Sequence, residues 1–142
     1  LLESGGVYYV ADVKRAQCEV KDFASELRAL DVRYNGSWHW YCSGTEQGVA
    51  QFLKSEGIRV KTERAAADKF VRAQPVAAAW NEGRILLPED APWLKSFADE
   101  VGSFSGVGDR NDDQVDALSS AFATMRKAPV DLELLVGPGG RR

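Results

Sequence analysis

Residues 84–88, RILLP, form a short continuous apolar run between two helix-like segments, and this constrains the fold more than any other stretch. Such a run reads as a strand buried on both faces, the kind found in parallel sheets covered by helices. Upstream, AQPVAAAWNEG (73–83) places Pro75 near a helix start and Gly83 at its end, the usual asymmetry of helix termini. Downstream, APWLKSFADEVGSF (91–104) reads as a helix with Trp93, Leu94, Phe97 and Val101 inward. Earlier in the chain, the Gly5-Gly6 turn predicts a hairpin whose second arm is a strand over residues 7–14. Val20, Phe23, Leu27 and Leu30 stand at helical spacing over 20–30. SWHWYCS (37–43) reads as a strand, 44–57 as a helix closed by Gly57 with Val49, Phe52 and Leu53 inward, and IRVKTE (58–63) as a short strand. The last helix runs from Asp112 to Lys127, and the Gly and Pro residues of 129–142 predict a flexible tail. Strands early, then strand and helix in alternation, imply an α/β domain with a mixed sheet and helices on its faces.

At 142 residues the chain is long enough for one continuous core and too short for two domains. A net charge of −3 and a pI near 5.2 exclude a broadly basic nucleic-acid-binding surface, so any DNA contact needs a local basic patch. Cys18 and Cys42 lie far apart without metal-ligand spacing, which suits a reducing compartment and argues against zinc or a disulfide framework. No apolar run approaches the roughly 20 residues of a membrane span, and no signal peptide is visible, so a cytoplasmic location is expected. The chain opens on Leu1 rather than methionine and reads as a fragment. No phosphate-binding loop and no dinucleotide-binding glycine pattern is present. His39, between Trp38 and Trp40, is the sole histidine and fits a packed strand position better than a catalytic triad.

The densest chemistry lies in GVGDRNDDQVDALSSAF (106–122), where Asp109, Asp112, Asp113 and Asp116 crowd into eight residues. At about 100° per residue, Asp112, Asp116 and Asp113 fall at roughly 0°, 40° and 100° on the helix, while Val115, Leu118, Phe122 and Met125 centre near 260°. The acids thus share one face and repel by a few tenths of a kcal/mol per pair. A divalent cation reverses that sign, because hard ions prefer carboxylate oxygens. The other reading is an ordinary solvated first turn, favoured by the macrodipole by roughly 0.3–1 kcal/mol per acid, with Asn111 or Asp109 as cap.

Two further stretches carry candidates. In CSGTEQG (42–48), Glu46 sits at a helix start after a strand, either as a functional acid or as the far half of a capping box with Ser43. In DKFVRAQP (68–75), Lys69 and Arg72 are three apart, a pair that can hold phosphate oxygens, offset an acidic centre, or simply be solvated.

Four stretches, VYYVADVKR (7–15), GTEQGVAQFLKSEGIRV (44–60), DKFVRAQPVAAAWNEGRILLPEDAPWLKSFADEVGSF (68–104) and DRNDDQVDALSSAF (109–122), together resemble the C-terminal nuclease domain of bacteriophage large terminase subunits, in the expected order. The resemblance implies a ribonuclease H-like mixed central sheet flanked by helices over residues 1–128. It also implies a metal-dependent endonuclease that cuts concatemeric double-stranded viral DNA with two Mg²⁺ or Mn²⁺ ions. The partners it implies are duplex DNA, the terminase ATPase domain, the small terminase subunit and the portal, in the cytoplasm of a bacterial host. Carried over by motif, DDxxDAL is Asp112 to Leu118, which makes Asp113 the first choice of helix-borne metal ligand, with Asp112 and Asp116 as further ligands or supporting acids. Glu46 is the nearest match to the acid at the central strand, and Lys69 and Arg72 match the basic pair at the DNA backbone or beside the metals. The family's first catalytic aspartate lies on a strand upstream of the hairpin, where this chain has not begun; Asp12 is no clean substitute, and this chain alone is expected to be weak or inactive. Two alternatives stay open: a resolvase-type nuclease of the same fold, and a non-catalytic docking domain of the packaging motor.

Overall fold

The computed structural model describes residues 1–64, 67–109 and 111–127; the tail over 129–142 lies outside them. The elements follow one another as β1 (Leu2–Ser4), β2 (Val7–Tyr9), α1 (Val20–Tyr34), β3 (Trp38–Tyr41), α2 (Glu46–Ser55), β4 (Val60–Glu63), α3 (Lys69–Asn81), β5 (Ile85–Leu86), α4 (Leu94–Ser103) and α5 (Asp113–Lys127). This is the α/β class that the sequence pattern implies. Its strands are hydrogen-bonded in two pieces: a mixed sheet in the order β1-β2-β5 and a parallel pair, β3-β4.

In the first sheet, β1 and β2 form the hairpin at Gly5-Gly6, with Leu2 opposite Tyr9, and β2 runs parallel to β5 with Tyr8 opposite Ile85. The strand expected over 7–14 stops at Tyr9. Its partners run out there: β5 supplies only two residues, and the last ladder bond is from Val10 N–H to the Leu86 carbonyl at 3.0 Å. Beyond it the chain leaves the sheet, and Asp12 accepts from Arg33 and the Tyr34 hydroxyl at the end of α1. The two-faced burial expected of RILLP is also only half realised. Ile85 is buried in the apolar cluster, whereas Leu86, which points to the opposite face of the strand, is 43% exposed.

Helix α3 begins earlier than the Pro75 signal suggests. Asp68 caps it, its carboxylate accepting from the Val71 N–H at 2.9 Å, and Pro75 stands in the middle of the helix. Proline has a helical φ, so its cost here is the missing N–H that the Val71 carbonyl would otherwise receive. Helix α1 runs on to Tyr34 and ends at Asn35 in the left-handed conformation, whose N–H reaches the Asp31 carbonyl. This is an ordinary helix stop, since asparagine tolerates positive φ.

Two apolar clusters result. One joins Tyr8, Val10 and Ile85 of the first sheet to Val76 and Ala79 of α3, Phe97 of α4, and Leu118 and Phe122 of α5. The Tyr8 and Phe122 rings lie 4.6 Å apart at its centre. The other joins Ala24 and Leu27 of α1 to Leu53, Ile58 and Val60. Helix α5 packs on α3, α4 and β3. Its amino-terminal turn is therefore fixed by neighbours remote in sequence.

Candidate functional site at the junction of α3 and α5

The first turn of α3 faces the first turn of α5. Lys69 Nζ lies 2.8 Å from Asp112 Oδ1 and 3.6 Å from Asp116 Oδ2, so one ammonium bridges the two carboxylates one helical turn apart. Arg72, one turn further along α3, donates through Nη2 to Asp116 Oδ1 and through Nη1 to the Ala67 carbonyl at 2.7 Å. Its Cζ sits 4.9 Å from the centre of the Tyr41 ring at the end of β3. The guanidinium thus ties α3, α5 and β3 together.

Burial divides the two cations. The Arg72 side chain is 12% exposed and the Lys69 side chain 46%. Arg72 Nε–H is buried without a partner among the described residues, which costs about 1–3 kcal/mol and shows how far the rest of the group is committed to its position. The hydrogen bond to Asp112 raises the Lys69 pKa above the ordinary lysine value, with desolvation opposing it and the charges of Asp112, Asp116 and Asp113 adding to the rise.

Among the acids, Asp112 and Asp116 are the ones held against the basic pair. Asp113, first residue of α5, is exposed and makes no side-chain hydrogen bond or ion pair among the described residues. Three carboxylates (Asp112, Asp113, Asp116) against two cations (Lys69, Arg72) leave one formal negative charge at the helix terminus. Asp109 lies outside the group: its carboxylate accepts from Ser105 N–H, Ser105 Oγ and Gly106 N–H and builds the loop before α5. Those bonds, led by the Ser105 backbone, hold its carboxyl below the usual range.

Glu46 is engaged within its own turn. Its Oε2 accepts from Ser43 N–H at 2.9 Å and from Ser43 Oγ at 3.3 Å. This is the Glu half of the capping box; Glu46 N–H in turn donates to the Ser43 carbonyl rather than to its hydroxyl. Asp12 is likewise engaged elsewhere, at the end of α1. His39 lies in β3 with Nε2 3.2 Å from Ser37 Oγ, its pKa lowered first by burial.

Carboxylate oxygens are the donors that Mg²⁺ and Mn²⁺ prefer, so the chemistry of Asp112, Asp113 and Asp116 suits such ions. The arrangement does not complete a site for them. Among the described residues no group of three or more His, Cys, Asp or Glu is placed to hold a metal. Asp112 and Asp116 are neutralised by Lys69 and Arg72 instead.

Sequence reasoning missed the other side of the α5 terminus. Glu100 of α4 is buried and accepts from the Gln114 N–H at 2.7 Å and from Gln114 Nε2, while Arg15 lies against it. One signal was present: Glu100 follows Phe97 by three residues, a charged residue on the helix's apolar stripe.

The structure is thus an α/β domain in which the acids of α5 meet a basic pair on α3. The family model described as the terminase RNase H-like domain matches residues 2–124, and the chain belongs to that family. It is a phage terminase nuclease-type domain with the ribonuclease H-like fold. No curated protein and no solved structure matches the chain. Among the described residues, no helix is long and apolar enough to cross a membrane.

Proposed function

We propose that this chain is the part of a phage terminase large subunit that cuts concatemeric double-stranded DNA during genome packaging, with the amino terminus of α5 as its reactive end. The observation that carries the reading is the convergence of Asp112 and Asp116 with Lys69 and Arg72, inside a domain of the terminase RNase H-like family. Nucleases of this fold use divalent metals, and Mg²⁺ or Mn²⁺ is the proposed cofactor, two ions in the full centre. Asp113, Asp112 and Asp116 are the proposed ligands on this chain. A complete set needs at least one further carboxylate, for which Glu46 is the candidate by motif and the family's first-strand acid the candidate by resemblance.

The chain's own residues have distinct tasks in this scheme. Arg72 is too buried to follow a DNA backbone and holds Asp116 in place. Lys69 is accessible enough to exchange its carboxylate partners for a phosphate oxygen as DNA arrives. Asp113 is the acid left open to solvent. Duplex DNA, the ATPase domain, the small subunit and the portal are the proposed partners, in the cytoplasm of the bacterial host.

The ion-paired state of Asp112 and Asp116 favours a second reading, in which this portion docks the motor and its acids form a solvated rim. Plasmid cleavage separates the two. The protein extended upstream through the first-strand acid should linearise plasmid in Mn²⁺, and neither EDTA-treated protein nor Asp113→Asn should. If the extended protein leaves plasmid intact where a related nuclease cuts it, the docking reading replaces the first. A substrate preference for four-way junctions over linear duplex would point to resolvase-type chemistry.

A further inference from the structure

The first turn of α5 is gripped from two opposite sides, and only one grip belongs to the acids. At about 100° per residue, Gln114 lies roughly 180° around the helix from the midline of Asp112 and Asp116. There Glu100, 6% exposed near the end of α4, receives the Gln114 backbone N–H on Oε1 at 2.7 Å and the Gln114 side-chain amide on Oε2 at 2.5 Å. Arg15 Nη1 stands 3.6 Å from the same Oε2, and Arg15 Nη2 donates to Asn111 Oδ1 at 3.2 Å. Asn111 directly precedes Asp112.

The Gln114 N–H is among the first amides of α5, which have no acceptor within the helix, and a carboxylate at that end is favoured by the helix dipole. Glu100 therefore does from a neighbouring helix what a capping side chain does from within the chain. A buried carboxylate is costly unless its oxygens are satisfied, and a hydrophobic side chain would fill the Phe97–Val101 face of α4 without that demand. What a hydrophobic residue cannot do is fix the rotation of α5 about its axis. Two bonds from Gln114 and the neighbouring Arg15–Asn111 arm, all on the side away from α3, do that.

We propose that Glu100 is a positioning residue: with Arg15 and Gln114 it sets the orientation of α5 so that Asp112, Asp113 and Asp116 are presented as a fixed set toward α3. The value of that placement for DNA cleavage rests on the function proposed above; the placement itself does not. Its test is therefore made without metal or DNA. The readout is the hydrogen exchange of the Lys69 ammonium, followed by ¹⁵N NMR at low temperature, because that group senses Asp112 on the far side of the helix.

Glu100→Gln keeps the shape and an acceptor for the Gln114 N–H, and its amide can meet the Gln114 side chain once that amide turns over. Glu100→Ala keeps neither. In a positioning role, the Lys69 ammonium exchanges at least fivefold faster in folded Glu100→Ala and within twofold of the parent in Glu100→Gln. An unchanged rate in Glu100→Ala, with only its melting temperature lowered, overturns the proposal and leaves Glu100 a packing residue. Should Glu100→Ala fail to fold, Arg15→Met carries the test from the exposed arm: faster Lys69 exchange supports the proposal, and an unchanged rate overturns it. Failure of plasmid cleavage by the upstream-extended protein would remove the nuclease reading and leave this result standing.

Discussion

Replacing Arg72 with alanine should destabilise the domain by about 2–3 kcal/mol. Alanine removes a charge-assisted hydrogen bond to Asp116, worth about 1.5–3 kcal/mol, the bond to the Ala67 carbonyl, and the contact with the Tyr41 face, worth about 0.5–2 kcal/mol. Breaking a fully buried ion pair costs about 3–5 kcal/mol because the surviving charge is stranded. That full penalty does not apply, since the Asp116 side chain is 26% exposed and Lys69 remains 3.6 Å away. Relief of the unpartnered Nε–H returns part of the loss, about 1–3 kcal/mol. Urea unfolding at pH 7 measures the difference, provided the dependence on denaturant is unchanged. Arg72→Lys should recover less than half, because an ammonium cannot serve the fork and the ring together. A double-mutant cycle with Asp116→Asn should give a coupling of roughly 1–3 kcal/mol. A coupling below about 0.3 kcal/mol would refute the picture of Arg72 as the residue that holds Asp116.

Lys69→Gln should cost little at neutral pH, about 0–1 kcal/mol, because its pair with Asp112 is half exposed. Its raised pKa gives the contribution a definite pH dependence: fully present below the ordinary lysine value of 10.5 and lost as pH rises through the higher folded value. Melting temperatures of parent and Lys69→Gln should therefore converge only above pH 10.5, and convergence near pH 8 would contradict the pairing. The two thiols should differ toward a soluble disulfide reagent, since Cys18 is exposed whereas Cys42 is buried and its pKa is raised by that burial. One fast-reacting thiol per native chain is expected, with the second released by denaturant. Gly106→Ala should lower the melting temperature by several degrees, because a Cβ there would lie 2.6 Å from Phe70 in a backbone of φ +79°. The left-handed conformation alone costs a non-glycine residue about 1–2 kcal/mol; an unchanged melting temperature would mean that the loop does not seat on Phe70.

The sequence was most legible where local signals and packing agree. Phe23 and Leu27, Phe52 and Leu53, and Phe97 and Val101 mark helix faces that the fold buries or packs against its cores. It was least legible where a strand's length depends on its partner. Nothing local to residues 10–14 says that β5 will offer only Ile85 and Leu86, and nothing in RILLP says that Leu86 will face outward. Pro75 misled for a related reason, since a residue permitted in a first turn is also tolerated further in when the Asp68 cap and α5 packing hold the helix. At the site, the acid face of α5 followed from periodicity, and the motif pointed to Lys69 and Arg72. Which acid each cation takes, and that Asp113 takes none among the described residues, depends on how α3 is rotated against α5.

That rotation is where fold and site become one problem. The acids lie on a helix whose far end is buried through Leu118 and Phe122, so packing fixes the axis of α5 but leaves its first turn to polar contacts. Those contacts come from α3 on one face and from α4 with Arg15 on the other. Hydrophobic burial is non-directional and cannot choose between rotations of a few tens of degrees. Hydrogen bonds to Gln114, Asp112 and Asp116 can, since each weakens steeply as its geometry departs from alignment. The outer contact, through Lys69, is open to exchange and to screening by salt, whereas the inner ones, through Arg72 and Glu100, are shielded by their burial. The arrangement therefore combines two buried contacts that hold the acids with one solvent-accessible counter-charge. In the proposed function, that division lets Lys69 turn to a DNA phosphate while Arg72 and Glu100 keep the acids in place.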